Sequence, residues 1–193
     1  MDKAKRIMVA ISGASGAIYA RRLLEVLPSL YDIIYLTASD NALGIIKDEL
    51  GYDGLAEMIP QENMRKFLPL SCTDLSAPTA SGSHEYDGLI VIPCSMGVIG
   101  RIASGVSNDL VTRAADVCLK EKRKLVLVAR ETPLSLIHLR NMTSLAEAGA
   151  TILPAVPAFY NRPRSIDELV DFVVDRVLRA IGADVHLIDG WGE

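Results

Sequence analysis

The chain has only three cysteines, Cys72, Cys94 and Cys118, an odd and widely spaced set that suggests neither a disulfide framework nor a zinc site. Its three histidines, His84, His138 and His186, form no ligand pattern, so no metal is expected. No apolar stretch reaches the ~18 residues of a membrane span. The opening Met1-Asp2-Lys3-Ala4-Lys5-Arg6 leads into a strand without a signal-peptide core, so a cytosolic (cytoplasmic) protein is expected. Charge is scarce as well, at 23% of residues, and the net of -4 with a pI near 5.4 argues against a general nucleic-acid binder. The run Lys122-Arg123-Lys124 is too short to reverse that and reads as a solvated helix end. No linker or repeat divides the 193 residues, so one domain spanning 1–193 is expected, large enough to bury a core unaided. Half of the residues are hydrophobic, which hints at surface buried in an oligomer.

What is present alternates between two periods. Ile7, Met8, Val9, Ala10 and Ile11 form an apolar run of the length of a buried parallel strand, and helical spacing resumes from Tyr19 through Leu23, Leu24 and Leu27. Between them lies Ser12-Gly13-Ala14-Ser15-Gly16. Such a turn opens a helix whose free N–H groups suit a phosphate, but it is only part of a dinucleotide fingerprint and lacks the Lys-Ser or Lys-Thr of a P-loop. Phosphate binding and a plain tight turn both remain open on this stretch alone. Residues 32–38 read as a second strand, and Ser39 with Asp40 can cap a helix over 41–50. Asp40 also lies at about the spacing of a ribose-binding acid. The proline-rich and small-residue segment 51–86 reads as a loop over the site. A third strand over 88–92 ends in the turn Pro93-Cys94-Ser95-Met96-Gly97. A helix over 108–122, capped by Ser107 or Asn108, leads to a strand over 125–129 that ends in Arg130-Glu131-Thr132-Pro133. A helix over 134–148, a short strand over 151–153 and a capping-box helix opened by Ser165 and Glu168 complete the order.

Strands alternating with helices specify an α/β fold with a parallel sheet covered on both faces, and ligands in such folds sit beyond the carboxyl ends of the strands. That rule gathers residues 13–16, Ser39, residues 94–97, Arg130-Glu131 and residues 157–160 along one edge, and it tips the first turn toward a phosphate-bearing ligand. Glu131 beside Arg130 is either a solvated pair or an acid/base next to a cationic phosphate anchor, and its place at a strand end favours the latter. Arg113 and Lys120, seven residues apart, share a helical face that serves a second phosphate or merely meets solvent. Arg176 interrupts an apolar stripe with Leu169 and Phe172, which calls for a partner or an anion in a covered place. Cys94 reads as a small buried filler, since no histidine pairs with it.

Seven stretches taken together resemble the UbiX-type flavin prenyltransferases: Ile11-Ser12-Gly13-Ala14-Ser15-Gly16-Ala17, Pro93-Cys94-Ser95, Ser104-Gly105-Val106-Ser107-Asn108-Asp109-Leu110, Arg113-Ala114-Ala115-Asp116-Val117, Leu119-Lys120-Glu121, Arg130-Glu131-Thr132-Pro133-Leu134 and Pro157-Ala158-Phe159-Tyr160. Trp191-Gly192-Glu193 is also similar to that family. The resemblance implies a flavodoxin-like, Rossmann-like three-layer sandwich that binds FMN and assembles as a homo-dodecamer with sites between subunits. It implies metal-independent transfer of a dimethylallyl group from dimethylallyl phosphate to reduced FMN, giving prenylated FMN for a separate UbiD-type decarboxylase. Any decarboxylase role would then be indirect, through cofactor supply. By the same match Gly13, Ala14, Ser15, Ser39, Ser95, Met96, Gly97, Val98 and Arg130 would hold FMN. Lys120, Tyr160 and Arg176, with Arg113 close by, would grip the prenyl phosphate, some from a neighbouring subunit. Glu131 would relay protons, Ser15 would bond the flavin nitrogen and Glu49 would support the pocket.

Three positions depart from the family pattern. Leu75-Ser76 stands where larger aromatic or methionine side chains cover the prenyl pocket, Ala129 where proline is common, and Asp40 where a basic residue is frequent. The first bears on pocket size and leaves open a monophosphate or diphosphate donor. Two other readings are open to the sequence. A cysteinyl-peptide decarboxylase would place a histidine after the second glycine-rich loop and an Asn in a Pro-x-Met-Asn stretch, whereas Pro93-Cys94-Ser95-Met96 has no Asn. A non-catalytic FMN carrier would need the turns but not Glu131, Arg176 and Lys120.

Overall fold

The structure is a computed structural model that describes residues 4–189; Trp191-Gly192-Glu193 lies outside them. Six strands, β1 (Arg6–Ile11), β2 (Ile33–Ala38), β3 (Phe67–Pro69), β4 (Gly88–Cys94), β5 (Lys124–Ala129) and β6 (Thr151–Pro154), pair in parallel in the order β3-β2-β1-β4-β5-β6. The helices are α1 (Ala17–Val26), α2 (Asp40–Leu50), the single turn α3 (Leu55–Met58), α4 (Met96–Ala103), α5 (Leu110–Lys120), α6 (Leu136–Glu147) and α7 (Ile166–Ile181).

The continuous apolar strands are explained by burial on both faces. In β1, Ile7, Val9 and Ile11 point into a core with α1, α2 and α7, whereas Met8 and Ala10 point into a second core with α4, α5 and α6. A parallel sheet between two helical layers is the three-layer, flavodoxin-like arrangement expected.

Two elements differ from the sequence-based expectation. Phe67–Pro69 is a sixth strand on the edge of the sheet, too short for a period to show, with only Phe67 buried. The rest of segment 51–86 leaves β3 at its carboxyl end, where Leu70 N donates to Leu36 O. Its second half runs down the α5 face: Cys72 O accepts from Leu110 N, and the Arg123 guanidinium donates to Gly82 O and His84 O while stacking on Tyr86. Met96 and Gly97, expected in the turn after β4, instead open α4, an apolar helix too short to stand out beside β4.

The caps follow polar chemistry. Ser39, Ser95, Ser135 and Ser165 each accept a hydrogen bond from the first turn of α2, α4, α6 and α7. Glu168, expected to reach back to Ser165, instead accepts from Arg164 N at 2.7 Å. The α5 cap is Asp109 rather than Ser107 or Asn108. Its carboxylate accepts from Thr112 N at 2.8 Å, Thr112 Oγ1 accepts from Asp109 N, and Arg101 donates to the other carboxylate oxygen at 2.6 Å. Asp109→Ala removes both the capping box and the tie between α4 and α5. It should cost about 1–2 kcal/mol, and so lower the melting temperature by several degrees, in thermal denaturation of the purified variant.

Candidate functional site

Because all six strands are parallel, their carboxyl ends form one rim, and backbone hydrogen bonds carry the pairing past the strands themselves. Ser39 N donates to Ile11 O (3.1 Å), Ser12 N to Pro93 O (3.2 Å), Arg130 N to Cys94 O (3.2 Å) and Ala155 N to Ala129 O (2.8 Å). The loops after β1, β2, β4 and β5 therefore stand side by side in a fixed line. Its middle is the gap between β1 and β4, where strand order reverses, the place at which open α/β sheets take ligands.

At that gap Ser12 is 1% exposed. Its hydroxyl donates to Pro93 O at 3.0 Å and accepts from Ser95 N at 2.8 Å, which joins the two turns that carry Gly13, Ala14 and Ser15 on one side and Ser95, Met96, Gly97 and Val98 on the other. Ser15 is exposed and Ala14 buried. The glycines answer to protein neighbours. A Cβ on Gly13 would lie 2.7 Å from Asn41 Cβ, and Gly16, at φ +108°, would bring one within 2.9 Å of the Tyr19 ring. Gly97 has open space around it, with only Ser95 Oγ at 3.9 Å from such an atom, so its backbone can be approached from outside.

The N-terminus of α1, where a phosphate is the guest expected from sequence, is already filled. Glu49, from the last turn of α2, accepts from Gly16 N at 3.0 and 3.1 Å and from Ala17 N at 2.8 Å. A carboxylate thus satisfies the first amides of the helix and neutralises the positive end of its dipole, so this helix end is no phosphate site in the chain as it stands. The capacity to attract an anion lies further along the rim. Arg130 Nε is buried with no hydrogen-bond partner, a donor that costs free energy until something accepts from it. Next to it, Glu131 is exposed, and its Oε1 accepts from Thr132 N at 3.1 Å.

Beyond β6, Tyr160 and Arg176 meet. Arg176 donates to the Tyr160 hydroxyl at 3.3 Å and lies over the Phe172 ring at 5.2 Å, and that ring packs edge-on to Tyr160. Arg176 is exposed rather than covered, contrary to expectation. The buried charge of α7 is its neighbour Asp175, fully enclosed, which accepts from Arg179 Nε at 2.7 Å and from Leu187 N at 3.0 Å. Arg113 and Lys120 do share a helix, at its first and last turns. Arg113 donates to Ala80 O and pairs with Asp116, and Lys120 pairs with Glu121. Lys120 lies four residues before Lys124, which opens β5, and hence at the edge of the sheet opposite the rim. Burial pushes the Cys94 thiol far above its ordinary range, in line with a filler role. Ser12, Asn41 and the capping use of Glu49 are not visible in sequence, because each depends on which loops the sheet order makes adjacent.

The comparisons with known proteins agree with this fold. Residues 1–178 match the Flavoprotein family. The chain is 42% identical over 189 residues to a protein named flavin prenyltransferase UbiX from Methanocaldococcus jannaschii, covering 97% of this chain and 98% of the relative. Among solved structures it is similar to AnUbiX (PadA1) in complex with FMN and dimethylallyl pyrophosphate, with TM-score 0.89, 43% identity and coverage of 98% and 100%. It is also similar to a dodecameric FMN-dependent UbiX-like decarboxylase from Escherichia coli O157:H7, with TM-score 0.90, 40% identity and coverage of 97% and 100%.

Removing the internal cap makes its role measurable. Glu49→Ala should cost about 1–2 kcal/mol of stability and free the end of α1 for inorganic anions. Added sulfate should then raise the melting temperature of the variant more than that of the wild type; equal shifts would contradict the assignment.

Proposed function

The chain belongs to the UbiX-type flavin prenyltransferase family of flavoproteins, and we propose that it transfers a dimethylallyl group from dimethylallyl phosphate to reduced FMN, releasing inorganic phosphate and prenylated FMN. The observation that carries this reading is the line of Ser39, Ser15, Ser95 and Arg130 along one rim, with the buried Arg130 Nε lacking an acceptor. From β2 to β5 that line crosses three strand spacings, about 14 Å, long enough for a mononucleotide stretched across the switch point. The residues fit FMN: hydroxyls and open backbone line the middle, and a cation with an unused donor closes one end.

Bound reduced FMN supplies the nucleophilic nitrogen and carbon that accept the prenyl group. Gly13, Ala14 and Ser15 form one wall of its site and Ser95, Met96, Gly97 and Val98 the other, with Ser39 and Arg130 at the ends. The Ser15 hydroxyl hydrogen-bonds at the flavin nitrogen, and Glu49 fixes the turn that presents it. Tyr160 and Arg176 hold the prenyl phosphate. As the allylic C–O bond breaks, their donors stabilise the charge that builds on the phosphate, where such preorganised groups act most strongly. Glu131 moves the proton: as an acid it protonates the departing phosphate, and as a base it takes the proton released when the second carbon bond forms. Arg176 supplies the positive charge at the phosphate, and the proposed reaction is metal-independent.

Lys120 and Arg113 join the site only from a neighbouring copy. Exposed apolar side chains such as Ile137 at 68% and Phe159 at 70%, on α6 and after β6, give the surface that copies would bury, and the dodecamer of the Escherichia coli relative is the assembly proposed. Among the described residues no helix is long and apolar enough to cross a membrane. The product, made in the cytoplasm, is proposed to pass to a UbiD-type decarboxylase, which performs the decarboxylation itself.

Anaerobic incubation of the pure protein with reduced FMN and dimethylallyl phosphate should add the mass of one prenyl unit to the flavin. Glu131→Gln should slow that conversion by about 10²–10⁴-fold while FMN still binds. Conversion at the wild-type rate by this variant would remove Glu131 from the mechanism.

A further inference from the structure

We propose that Ser12 is a positioning residue whose buried hydroxyl sets the distance between the two turns that hold the flavin; this rests on the functional reading above. The pairing of β1 with β4 covers Met8, Val9 and Ala10 against Leu89, Ile90 and Val91 and then ends, and on its other side β4 changes register between Val91 and Cys94. Beyond that point Ser12 rejoins the two segments, with its amide and its hydroxyl both donating to Pro93 O and its Oγ accepting from Ser95 N. The hydroxyl uses its one proton and a lone pair in an enclosed place, so neither bond is exchanged for water at little cost.

The geometry passes outward from there. Ser95 N is fixed by Ser12, and Ser95 Oγ accepts from Val98 N at 3.4 Å, so the first turn of α4 is aimed by the same residue that precedes Gly13. Without the hydroxyl, Ser95 N–H loses its acceptor inside the protein. The segment 95–98 can then shift against the segment 13–15, and a flat ligand clasped between them loses contact on one side. The strands below hold the fold, while Ser12 holds the gap.

The test compares Ser12→Ala with Ser12→Thr, which keeps a hydroxyl, in three measurements on the full chain. FMN affinity should fall about 10–100-fold in Ser12→Ala and stay within about threefold of wild type in Ser12→Thr. The visible circular dichroism of bound flavin should change in the first variant and not in the second. Amide hydrogen exchange of the ligand-free proteins should quicken at residues 95–98 in Ser12→Ala alone. Ser12→Cys, similar in shape but a weak hydrogen-bonding partner, serves with an intermediate loss if the alanine variant does not fold. A Ser12→Ala protein that melts earlier yet keeps wild-type FMN affinity, flavin dichroism and exchange at 95–98 would overturn the proposal. Failure of the wild type to bind FMN would instead count against the functional reading, and the exchange comparison would still decide whether Ser12 sets the gap.

Discussion

A hydroxyl enclosed between the ends of β1 and β4 fixes the geometry on which the rest of the site depends. Parallel strands splay where their ladder stops, and in this sheet it stops between these two strands just as the chain reaches the rim. Ser12 bridges the opening with two side-chain hydrogen bonds and one backbone bond. The flanking bonds at Ser39 and Arg130 then extend the line to either side. Four loops that are far apart in sequence become a single row, with the strands setting its direction and Ser12 the spacing at its middle.

Charge is placed along the row in an uneven way. The start of α1, which by dipole and free amides should attract phosphate, is closed by Glu49 from the neighbouring helix. The cation with an unused donor, Arg130, sits two strands away. In the proposed site an anionic tail would be turned away from the Ser15 turn, leaving that turn to meet the neutral part of a ligand. Past β6, Arg176 and Tyr160 supply a second cationic and phenolic group. Two anion-attracting places flanking one neutral stretch suit a reaction that brings two phosphorylated molecules together at a flat ring.

Much of this was legible in the sequence, for physical reasons. Strands β1, β2, β4 and β5 show because burial on both faces demands unbroken apolar runs, and their alternation with helices dictates a parallel sheet and a rim at its carboxyl edge. Arg130-Glu131 and the Gly13 turn follow from that rim. Phe67–Pro69 escaped because three residues carry no period, and α4 because its apolar residues continue those of β4. Arg176 was read as covered from its stripe, yet in the single chain it stands exposed against Phe172. Glu49, Ser12 and Asn41 act through pairings of segments 28 to 83 residues apart, which only the order of strands reveals. Lys120 shows the converse limit: its motif is plain in sequence, but the chain leaves it at the opposite edge, and the proposed function brings it to a site through another copy.

The central claim is that one rim, completed by a second copy, holds flavin and prenyl phosphate together. A crystal structure of the assembled protein soaked with FMN and dimethylallyl phosphate tests it most directly. The account predicts FMN lying along the row from Ser39 to Arg130 with Glu49 still capping α1, and the prenyl phosphate against Tyr160, Arg176 and a neighbouring copy's Lys120. An FMN phosphate seated on the end of α1 in place of Glu49, or a prenyl phosphate bound away from Arg176 and Tyr160, would contradict it.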